Sequence, residues 1–282
     1  MRLRELLQQW EGRLNAAGVD SPRLSVQLLA SHVLGKSRVD MLLDAGQEVE
    51  EAKREEIERV IARRHKGEPV AYILGEKEFY GLPFAVGPGV LVPRPETELI
   101  VDKVRELYTE DEPLVVADFG AGSGALAVTL AKVFPRALVV AVELSPDAIH
   151  YIIDNAKKNG VRERVLTVRA DFCRPVLRRE SFDVVVSNPP YICRPQYDEL
   201  SAEVREYEPQ SALTPGETGL EQFDALARQA CAALKDGGRF FMEIGFDQGE
   251  TALKKITAAA QWTSSGGVQD LAGLDRVVWA GK

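Results

Sequence analysis

From residue 113 onward, short apolar runs that suit buried strands alternate with amphipathic stretches that suit helices. This alternation predicts a mainly parallel sheet with helices on both faces, because parallel strands need crossover connections that cover the sheet. The predicted strands span residues 114–119, 137–143, 165–169, 182–187, 238–244 and 276–280, and the predicted helices span 125–133, 146–159 and 219–234. The pattern therefore indicates an α/β fold.

The segment 1–75 follows a different pattern, in which apolar residues recur at helical spacing without strand alternation. We expect a small helical bundle here. Up to Tyr80, Lys and Arg almost balance Asp and Glu in number, and this near-neutral balance favours docking or packing against protein. Apolar runs at 79–84 and 86–92, broken by Gly and Pro, predict a short hairpin. The expected domains are a bundle at 1–75, a hairpin linker at 76–95 and an α/β domain at 96–282.

Composition excludes several classes of protein. The formal net charge of -8 argues against holding long nucleic acid mainly through phosphate contacts, which need clustered Lys and Arg. The three cysteines and three histidines lack the spacing of a metal site, so we expect no metal and reduced thiols. No apolar run reaches the roughly 18 residues of a membrane span. We expect a cytoplasmic monomer with no membrane attachment and no stable binding of nucleic acid.

A glycine-rich turn follows the first predicted strand of the α/β domain. The residues Asp118-Phe119-Gly120-Ala121-Gly122-Ser123-Gly124 lead from that strand into a helix. Glycines let the backbone approach a ligand closely, and such a turn faces pyrophosphate in dinucleotide-binding folds. Gly-x-Gly-x-Gly after an acidic strand end is the variant associated with S-adenosylmethionine. A nicotinamide or flavin site and a purely structural turn are the alternatives.

The next two predicted strands end in acidic residues. Glu143 ends the first strand after the glycine turn, where a carboxylate can accept hydrogen bonds from the two hydroxyls of a ribose, although a helix-capping role is the alternative. Asp171 and Phe172 end the third strand, where the carboxylate can meet an adenine amino group and the ring can lie against the base. Phe172 also suits core packing. Together with the glycine turn, these residues predict a nucleotide-cofactor cleft along one edge of the sheet.

The fourth predicted strand is followed by Asn188-Pro189-Pro190-Tyr191. The prolines lack N–H donors and have fixed φ, so the backbone carbonyls around Asn188 and Pro189 can point outward as unpaired acceptors. Such a rigid polar corner suits a planar NH2 group, and it stands where open α/β sheets bind their ligands. A strand-ending turn is the alternative for an isolated Pro-Pro. Its position after successive strand ends favours an active site.

With these motifs in place, the chain resembles the class I S-adenosylmethionine-dependent methyltransferases, and within them the release factor glutamine methyltransferases of the PrmC (HemK) family. The resemblance spans nearly the whole chain and includes residues 79–84, 92–98, 208–213, 219–220 and 275–278. Two departures are visible: Phe119-Gly120-Ala121 stands where the family usually has Leu-Gly-Thr, and Glu143 where Asp is commoner. Neither removes a needed functional group.

The resemblance implies a Rossmann-like fold with a mainly parallel seven-stranded sheet and an N-terminal helical bundle. It implies methyl transfer from S-adenosylmethionine, with S-adenosylhomocysteine as product and no metal, to the side-chain amide of the glutamine in the Gly-Gly-Gln motif of peptide release factors. The implied cofactor residues are Gly120, Ala121, Gly122, Ser123, Gly124, Glu143, Phe172 and Asn188. The implied substrate residues are Asn188, Pro189, Pro190 and Tyr191, of which Asn188, Pro189 and Tyr191 are also catalytic.

Two other functions remain as alternatives at this point. An adenine-N6 DNA or RNA methyltransferase faces the same chemical problem, because its target is also an NH2 group on a planar carbon. Such an enzyme needs a basic groove and usually a target-recognition region, which the acidic balance of this chain disfavours. A non-catalytic scaffold that keeps the cofactor fold is the second alternative, and the complete corner at residues 188–191 argues against it.

Overall fold

A computed structural model describes all 282 residues, which form two compact units. The first unit comprises Met1–Glu76 and Ser201–Tyr207, and the second comprises Lys77–Leu200 and Glu208–Lys282. The α/β domain expected at 96–282 is therefore interrupted by a short segment that belongs with the helical unit. No helix combines the length and the apolar character needed to cross a membrane.

The first unit is helical. Its helices are α1 (Leu3–Ala16), α2 (Pro22–Leu34), α3 (Arg38–Leu43), α4 (Glu51–His65), α5 (Val70–Leu74) and, from the later segment, α10 (Ala202–Tyr207). The apolar stripes of α1, α2 and α4 meet in one buried core, in which Trp10, Leu29 and Ile57 lie among other aliphatic side chains. Burial of these stripes is the main stabilisation of helices as short as these.

Two contacts explain why α10 belongs to the helical unit. Arg64 is almost fully buried, and its guanidinium forms an ion pair with Glu203 at 2.7 Å. The hydroxyl of Tyr207 donates to the main-chain carbonyl of Lys66 at 3.1 Å. A buried guanidinium needs a charged partner, so Arg64 makes the position of this segment energetically important.

The second unit begins at Lys77, within the hairpin formed by β1 (Glu76–Phe79) and β2 (Leu82–Ala85). The remaining strands are β3 (Val115–Phe119), β4 (Leu138–Glu143), β5 (Val165–Arg169), β6 (Phe182–Ser187), β7 (Leu234–Glu243), β8 (Ser264–Gln269) and β9 (Asp275–Gly281). The helices are α6 (Glu98–Leu107), α7 (Ala125–Val133), α8 (Pro146–Lys158), α9 (Arg194–Asp198), α11 (Phe223–Ala233) and α12 (Gly249–Ala259).

The strands β3 to β9 form one seven-stranded sheet in the order β5-β4-β3-β6-β7-β9-β8. Strands β3 to β7 pair in parallel, whereas β9 runs antiparallel to both β7 and β8. One hydrophobic core packs α6, α7 and α8 against one face of the sheet, and a second packs α11 and α12 against the other. The predicted mainly parallel α/β fold with seven strands is confirmed.

Several predicted boundaries were wrong. The stretch 86–92 is a loop, and the hairpin instead turns at Tyr80 and Gly81, which both have positive φ. Strand β7 begins at Leu234, ahead of the start predicted at position 238. Helix α11 begins at Phe223 and not at 219. The Glu221 carboxylate accepts the Thr218 N–H, and this bond holds the residues before the helix in a turn.

Candidate active site

A cavity of about 450 Å³ opens in the second unit at the C-terminal ends of the parallel strands. The sheet order reverses at β3, whose neighbours β4 and β6 are reached by crossovers in opposite directions. Open α/β sheets bind ligands at such a switch point. The predicted residues at its wall are Gly120, Ala121, Gly122, Ser123, Glu143, Asp171, Phe172, Asn188 and Pro190. The strand ends thus bring together residues from four separate motifs.

The glycine turn is built in a conformation that favours glycine. Gly120, Gly122 and Gly124 have φ of +74°, +56° and +83°. A Cβ atom on Gly120 would lie 3.2 Å from the ring of Phe172, and one on Gly124 would lie 3.3 Å from the Cα of Ile152. The turn therefore approaches both the cavity and α8 more closely than any side chain allows. Gly124 itself does not line the cavity and acts through this packing.

The Glu143 carboxylate, at the end of β4, organises the surrounding backbone. One oxygen accepts the Gly122 N–H at 2.8 Å, and the other accepts the N–H groups of Leu144 and Ser145 at 2.7 and 2.8 Å. Each carboxylate oxygen offers about two acceptor sites, so Glu143 retains acceptor capacity for a ligand at the cavity wall. The N-cap of α8 is Ser145, whose hydroxyl accepts the Ala148 N–H, so Glu143 holds the backbone that leads into the helix and is not itself the cap.

Asp118 lies beneath the glycine turn and is almost completely buried. Its carboxylate accepts the Ala127 N–H of α7 at 3.0 Å. Burial raises the pKa of Asp118 to about 7, the hydrogen bond from Ala127 opposes this rise, and the charge of Glu143 adds to it. Asp118 ties β3 to the first turn of α7 and so fixes the glycine turn between them.

Phe172 lies at the cavity wall and stacks on Phe119, with ring centroids 6.3 Å apart and an interplanar angle of 29°. Both roles considered for Phe172, cavity wall and packing against the core, are therefore combined in one ring. Asp171 lines the cavity beside it, and one of its oxygens accepts the Cys173 N–H at 2.9 Å.

The corner after β6 divides into two parts. Asn188 and Pro190 line the cavity, whereas Pro189 and Tyr191 are their chain neighbours and are not among the lining residues. The Asn188 Nδ2 donates to the Thr97 hydroxyl at 2.9 Å, and the Oδ1 of Asn188 has no partner within the protein. No donor of the protein contacts the Pro189 carbonyl. The Tyr191 hydroxyl donates to Glu243 Oε1 at 3.1 Å. The Asn188 Oδ1 and the Pro189 carbonyl are thus unpaired within the protein, and their binding of a planar NH2 group stays a prediction.

Three polar residues that support the site escaped prediction as functional groups. Thr97, which also lines the cavity, and Glu243 meet beside Asn188, with Thr97 Oγ1 2.6 Å from Glu243 Oε2. Asn155 of α8, which is fully buried, accepts the Ala85 N–H and donates to the carbonyls of Ala85 and Ser123. Glu243 carried the one usable signal, because it ends an apolar strand as Glu143 does.

The segments 92–98 and 208–213 are joined by another buried carboxylate. Glu208 accepts the Val92 N–H at 3.0 Å and pairs with Arg94 at 2.6 Å. Arg94, Pro209, Ser211 and Ala212 all line the cavity. Two motifs that are far apart in sequence therefore form one wall of the site.

Comparison with known proteins identifies the family. Residues 5–75 match the PrmC N-terminal domain and residues 96–203 match the methyltransferase small domain. A curated release factor glutamine methyltransferase of Nitratidesulfovibrio vulgaris is 42% identical over 279 residues, which cover 99% of this chain and 94% of the relative. Another, from Moorella thermoacetica, is 38% identical and covers 98% of this chain and 97% of the relative. The chain belongs to the release factor glutamine methyltransferase family.

Solved structures agree with the class of fold. A methyltransferase from Pyrococcus furiosus superposes with a TM-score of 0.52 at 20% identity, covering 78% of this chain and 95% of that one. At this identity the likeness speaks for the fold alone. The predicted resemblance to the release factor glutamine methyltransferases is thus confirmed by the relatives, and the Rossmann-like fold by the sheet and this neighbour.

In this member of the family, Glu243 is a buried carboxyl whose ionisation should affect stability. Burial raises its pKa from 4.5 to about 7, while the hydrogen bonds from Thr97 and Tyr191 oppose the rise. The charge of Glu96 adds to the rise and that of Arg276 opposes it. Because the folded state holds a proton that the unfolded chain releases between pH 4.5 and 7, the free energy of unfolding falls as pH rises through this window.

We therefore expect Glu243→Gln to gain stability relative to the parent as pH rises from 5 to 8. The pKa difference sets an upper bound of about 3 kcal/mol on this change. Thermal unfolding of both proteins at several pH values measures it. Glu250→Gln is the control, because Glu250 is solvent-exposed beside Lys254. A parent-to-variant difference in melting temperature that is the same at pH 5 and pH 8 would contradict this assignment.

Proposed function

We propose that this protein transfers a methyl group from S-adenosylmethionine to the side-chain amide nitrogen, N5, of the glutamine in the Gly-Gly-Gln motif of peptide release factors. The observation that carries the proposal is the Asn188 amide, which is held by its nitrogen and leaves its oxygen free at a cofactor-type cleft. Family membership supports the choice of glutamine as the target. The proposal includes a monomeric, cytoplasmic enzyme.

The cleft fits S-adenosylmethionine in its shape and its donor set. The glycine turn leaves open the space that a Cβ at Gly120 would fill beside Phe172. The Oε2 of Glu143 keeps one acceptor site, which suits a ribose hydroxyl, and Phe172 offers a ring face suited to a base. The proposed cofactor residues are Gly120, Ala121, Gly122, Ser123, Gly124, Glu143, Phe172 and Asn188, among which Gly124 acts by letting the turn pack on α8. When bound, S-adenosylmethionine supplies an electrophilic methyl group on a positively charged sulfur, a good leaving group.

The nucleophile makes the reaction difficult. An amide nitrogen shares its lone pair with the neighbouring carbonyl and is hardly basic. The nitrogen must therefore be held in one orientation, and the positive charge that develops on it must be stabilised. Acceptors aimed at its two hydrogens meet both needs. The nitrogen gains a bond to carbon and loses one proton in the overall reaction.

The residues 188–191 supply such acceptors. We assign the Asn188 Oδ1 and the Pro189 carbonyl as the two groups that accept the amide hydrogens, since both lack a partner within the protein. Pro190 adds an apolar surface at the cavity wall. Tyr191 is assigned to the amide-binding corner, and its hydroxyl is anchored on Glu243. Burial raises the pKa of Tyr191 far above its ordinary value, so this residue remains neutral.

Adenine-N6 methylation is the competing function, because similar acceptors suit an exocyclic NH2 group. The net charge of -8 disfavours it, since a base-flipping enzyme draws its affinity largely from phosphate contacts. The family relatives also disfavour it. A non-catalytic scaffold would bind the cofactor and transfer nothing.

Methyl transfer from labelled S-adenosylmethionine tests the proposal directly. The purified protein is mixed with a peptide release factor, with the same factor carrying Gln→Ala in its Gly-Gly-Gln motif, or with duplex and single-stranded DNA. We expect label on the unaltered factor only. Label on DNA, label that persists on the Ala variant, or cofactor binding without label on any of these substrates would overturn the proposal.

A further inference from the structure

A chain of hydrogen bonds leads from the reactive corner through Thr97 to Glu243 and joins three elements of the second unit. Glu243 ends β7, Thr97 ends the short 3-10 helix before α6, and Asn188 follows β6. The Thr97 oxygen lies 2.6 Å from Glu243 Oε2 and 2.9 Å from Asn188 Nδ2. Glu243 and Thr97 are 1% and 4% exposed, so water does not compete freely for these groups.

The direction of these bonds follows from the number of hydrogens. The Thr97 hydroxyl has one hydrogen, and the Glu243 carboxylate is an acceptor that takes it. Thr97 is then left with lone pairs only on the side of Asn188. It can accept from the Nδ2 of Asn188, but it cannot donate to the Oδ1. The carboxylate thereby determines which end of the Asn188 amide faces inward.

The opposite orientation of Asn188 would be unproductive. It would place the Oδ1 against the lone pairs of Thr97 and turn the Nδ2 hydrogens toward the cavity. Those hydrogens would then meet the hydrogens of the substrate amide, donor against donor. The two orientations of an Asn side chain have nearly the same shape, so packing alone does not select between them.

We infer that Glu243, acting through the hydroxyl of Thr97, is a positioning residue that holds the Asn188 amide with its oxygen toward the substrate. The inference rests on the proposed function. The second oxygen of Glu243 accepts the Tyr191 hydroxyl, so the carboxylate is held from two sides and cannot rotate away from Thr97 without losing that bond. One buried carboxylate thus orders both side chains of the corner that carry polar groups.

Thr97→Val removes the hydroxyl and keeps the branched shape of the side chain. At pH 8, where Glu243 is mainly ionised, we expect kcat for the release factor to fall by about 10- to 100-fold, because misplaced catalytic groups lose rate on this scale. The affinity for S-adenosylmethionine, measured by equilibrium binding, and the KM for the factor should stay within about threefold of the parent. Thr97→Ser restores the hydroxyl and should recover kcat to within about threefold.

Thr129→Val is the matched control. Thr129 in α7 is fully buried like Thr97, but its hydroxyl has no hydrogen-bond partner and lies away from the cavity. Its replacement should leave kcat unchanged. Thermal unfolding of all variants, with assays well below the lowest melting temperature, separates loss of folded enzyme from loss of rate.

A double-mutant cycle tests the route through Thr97. In Glu243→Gln, the side-chain amide offers one acceptor and one donor to the hydroxyls of Thr97 and Tyr191. It therefore no longer requires the Thr97 hydroxyl to donate its hydrogen away from Asn188, and kcat should fall about tenfold. The double variant with Thr97→Val should be no slower than the slower single variant, because both changes interrupt the same chain. Multiplied effects, or Thr97→Val with parental kcat, would overturn the inference. A parent enzyme that leaves the factor unmethylated would instead overturn the proposed function.

Discussion

Asn188→Ala is expected to lower kcat by about 10²- to 10³-fold at saturating cofactor and release factor. The Oδ1 of Asn188 is one of two assigned acceptors for the substrate amide, and removal of a single preorganised partner of a developing charge has effects of this size. Asn188 also lines the cofactor cleft, so the rate must be measured with S-adenosylmethionine well above its dissociation constant. Single-turnover methylation of the factor gives the rate of the chemical step.

Gln269→Ala provides the control for loss of an amide. Gln269 lies on the edge strand β8, where its side chain bonds only to Asp275, so its removal should leave kcat unchanged. Asn188→Ala enzyme that binds cofactor normally and retains the parental single-turnover rate would contradict the assigned role of the Oδ1.

Glu143→Ala is expected to weaken the binding of S-adenosylmethionine by about 10- to 100-fold or more. Hydrogen bonds to a charged group contribute roughly 1.5–3 kcal/mol, and alanine removes every carboxylate acceptor at this strand end. It also leaves the N–H groups of Gly122, Leu144 and Ser145 without their present acceptor, which loosens the turn around the cofactor. Calorimetric titration with cofactor measures the affinity.

Glu143→Asp is the matched comparison, since it keeps the charge and shortens the side chain by one methylene. We expect its affinity to lie much closer to that of the parent than to that of Glu143→Ala. Equal binding by the alanine variant and the parent would show that Glu143 serves only to hold the backbone before α8 and does not hold the cofactor.

Prediction from sequence was most accurate for elements whose own residues form a clear pattern of apolar side chains. Helix α7 and strand β6 lie where they were predicted, because each is made mainly of apolar residues that are buried between the sheet and its covering helices. The strand ends bearing Glu143 and Asn188 were found for the same reason. Glycines mark the turn after β3, and prolines mark the corner after β6, in the sequence itself.

Elements that depend on distant partners were missed. Strand β8 has the sequence Ser-Ser-Gly-Gly-Val-Gln, with a single large apolar residue, and it is a strand only because β9 pairs with it along the edge of the sheet. The return of the segment 201–207 to the helical unit depends on the buried Arg64, whose partner Glu203 is far from it in the chain. Neither contact leaves a local pattern.

The site shows the same division. Asn188 was identified from its neighbours in sequence, whereas Thr97 lies far before it in the chain and Glu243 well after it. Their relation to Asn188 is a matter of hydrogen-bond direction, which only the three-dimensional arrangement reveals. Glu243 could have been noted as a polar group at a strand end, but its partner Thr97 could not have been predicted.

Mass-spectrometric mapping of the methyl group tests the central claim most directly. The release factor is incubated with the enzyme and S-adenosylmethionine, digested, and fragmented across its Gly-Gly-Gln peptide. We predict one added methyl group on the side-chain amide nitrogen of that glutamine, with the addition abolished or greatly slowed by Asn188→Ala. A methyl group on any other residue, or an unmodified peptide after prolonged incubation with folded, cofactor-binding enzyme, would contradict the account.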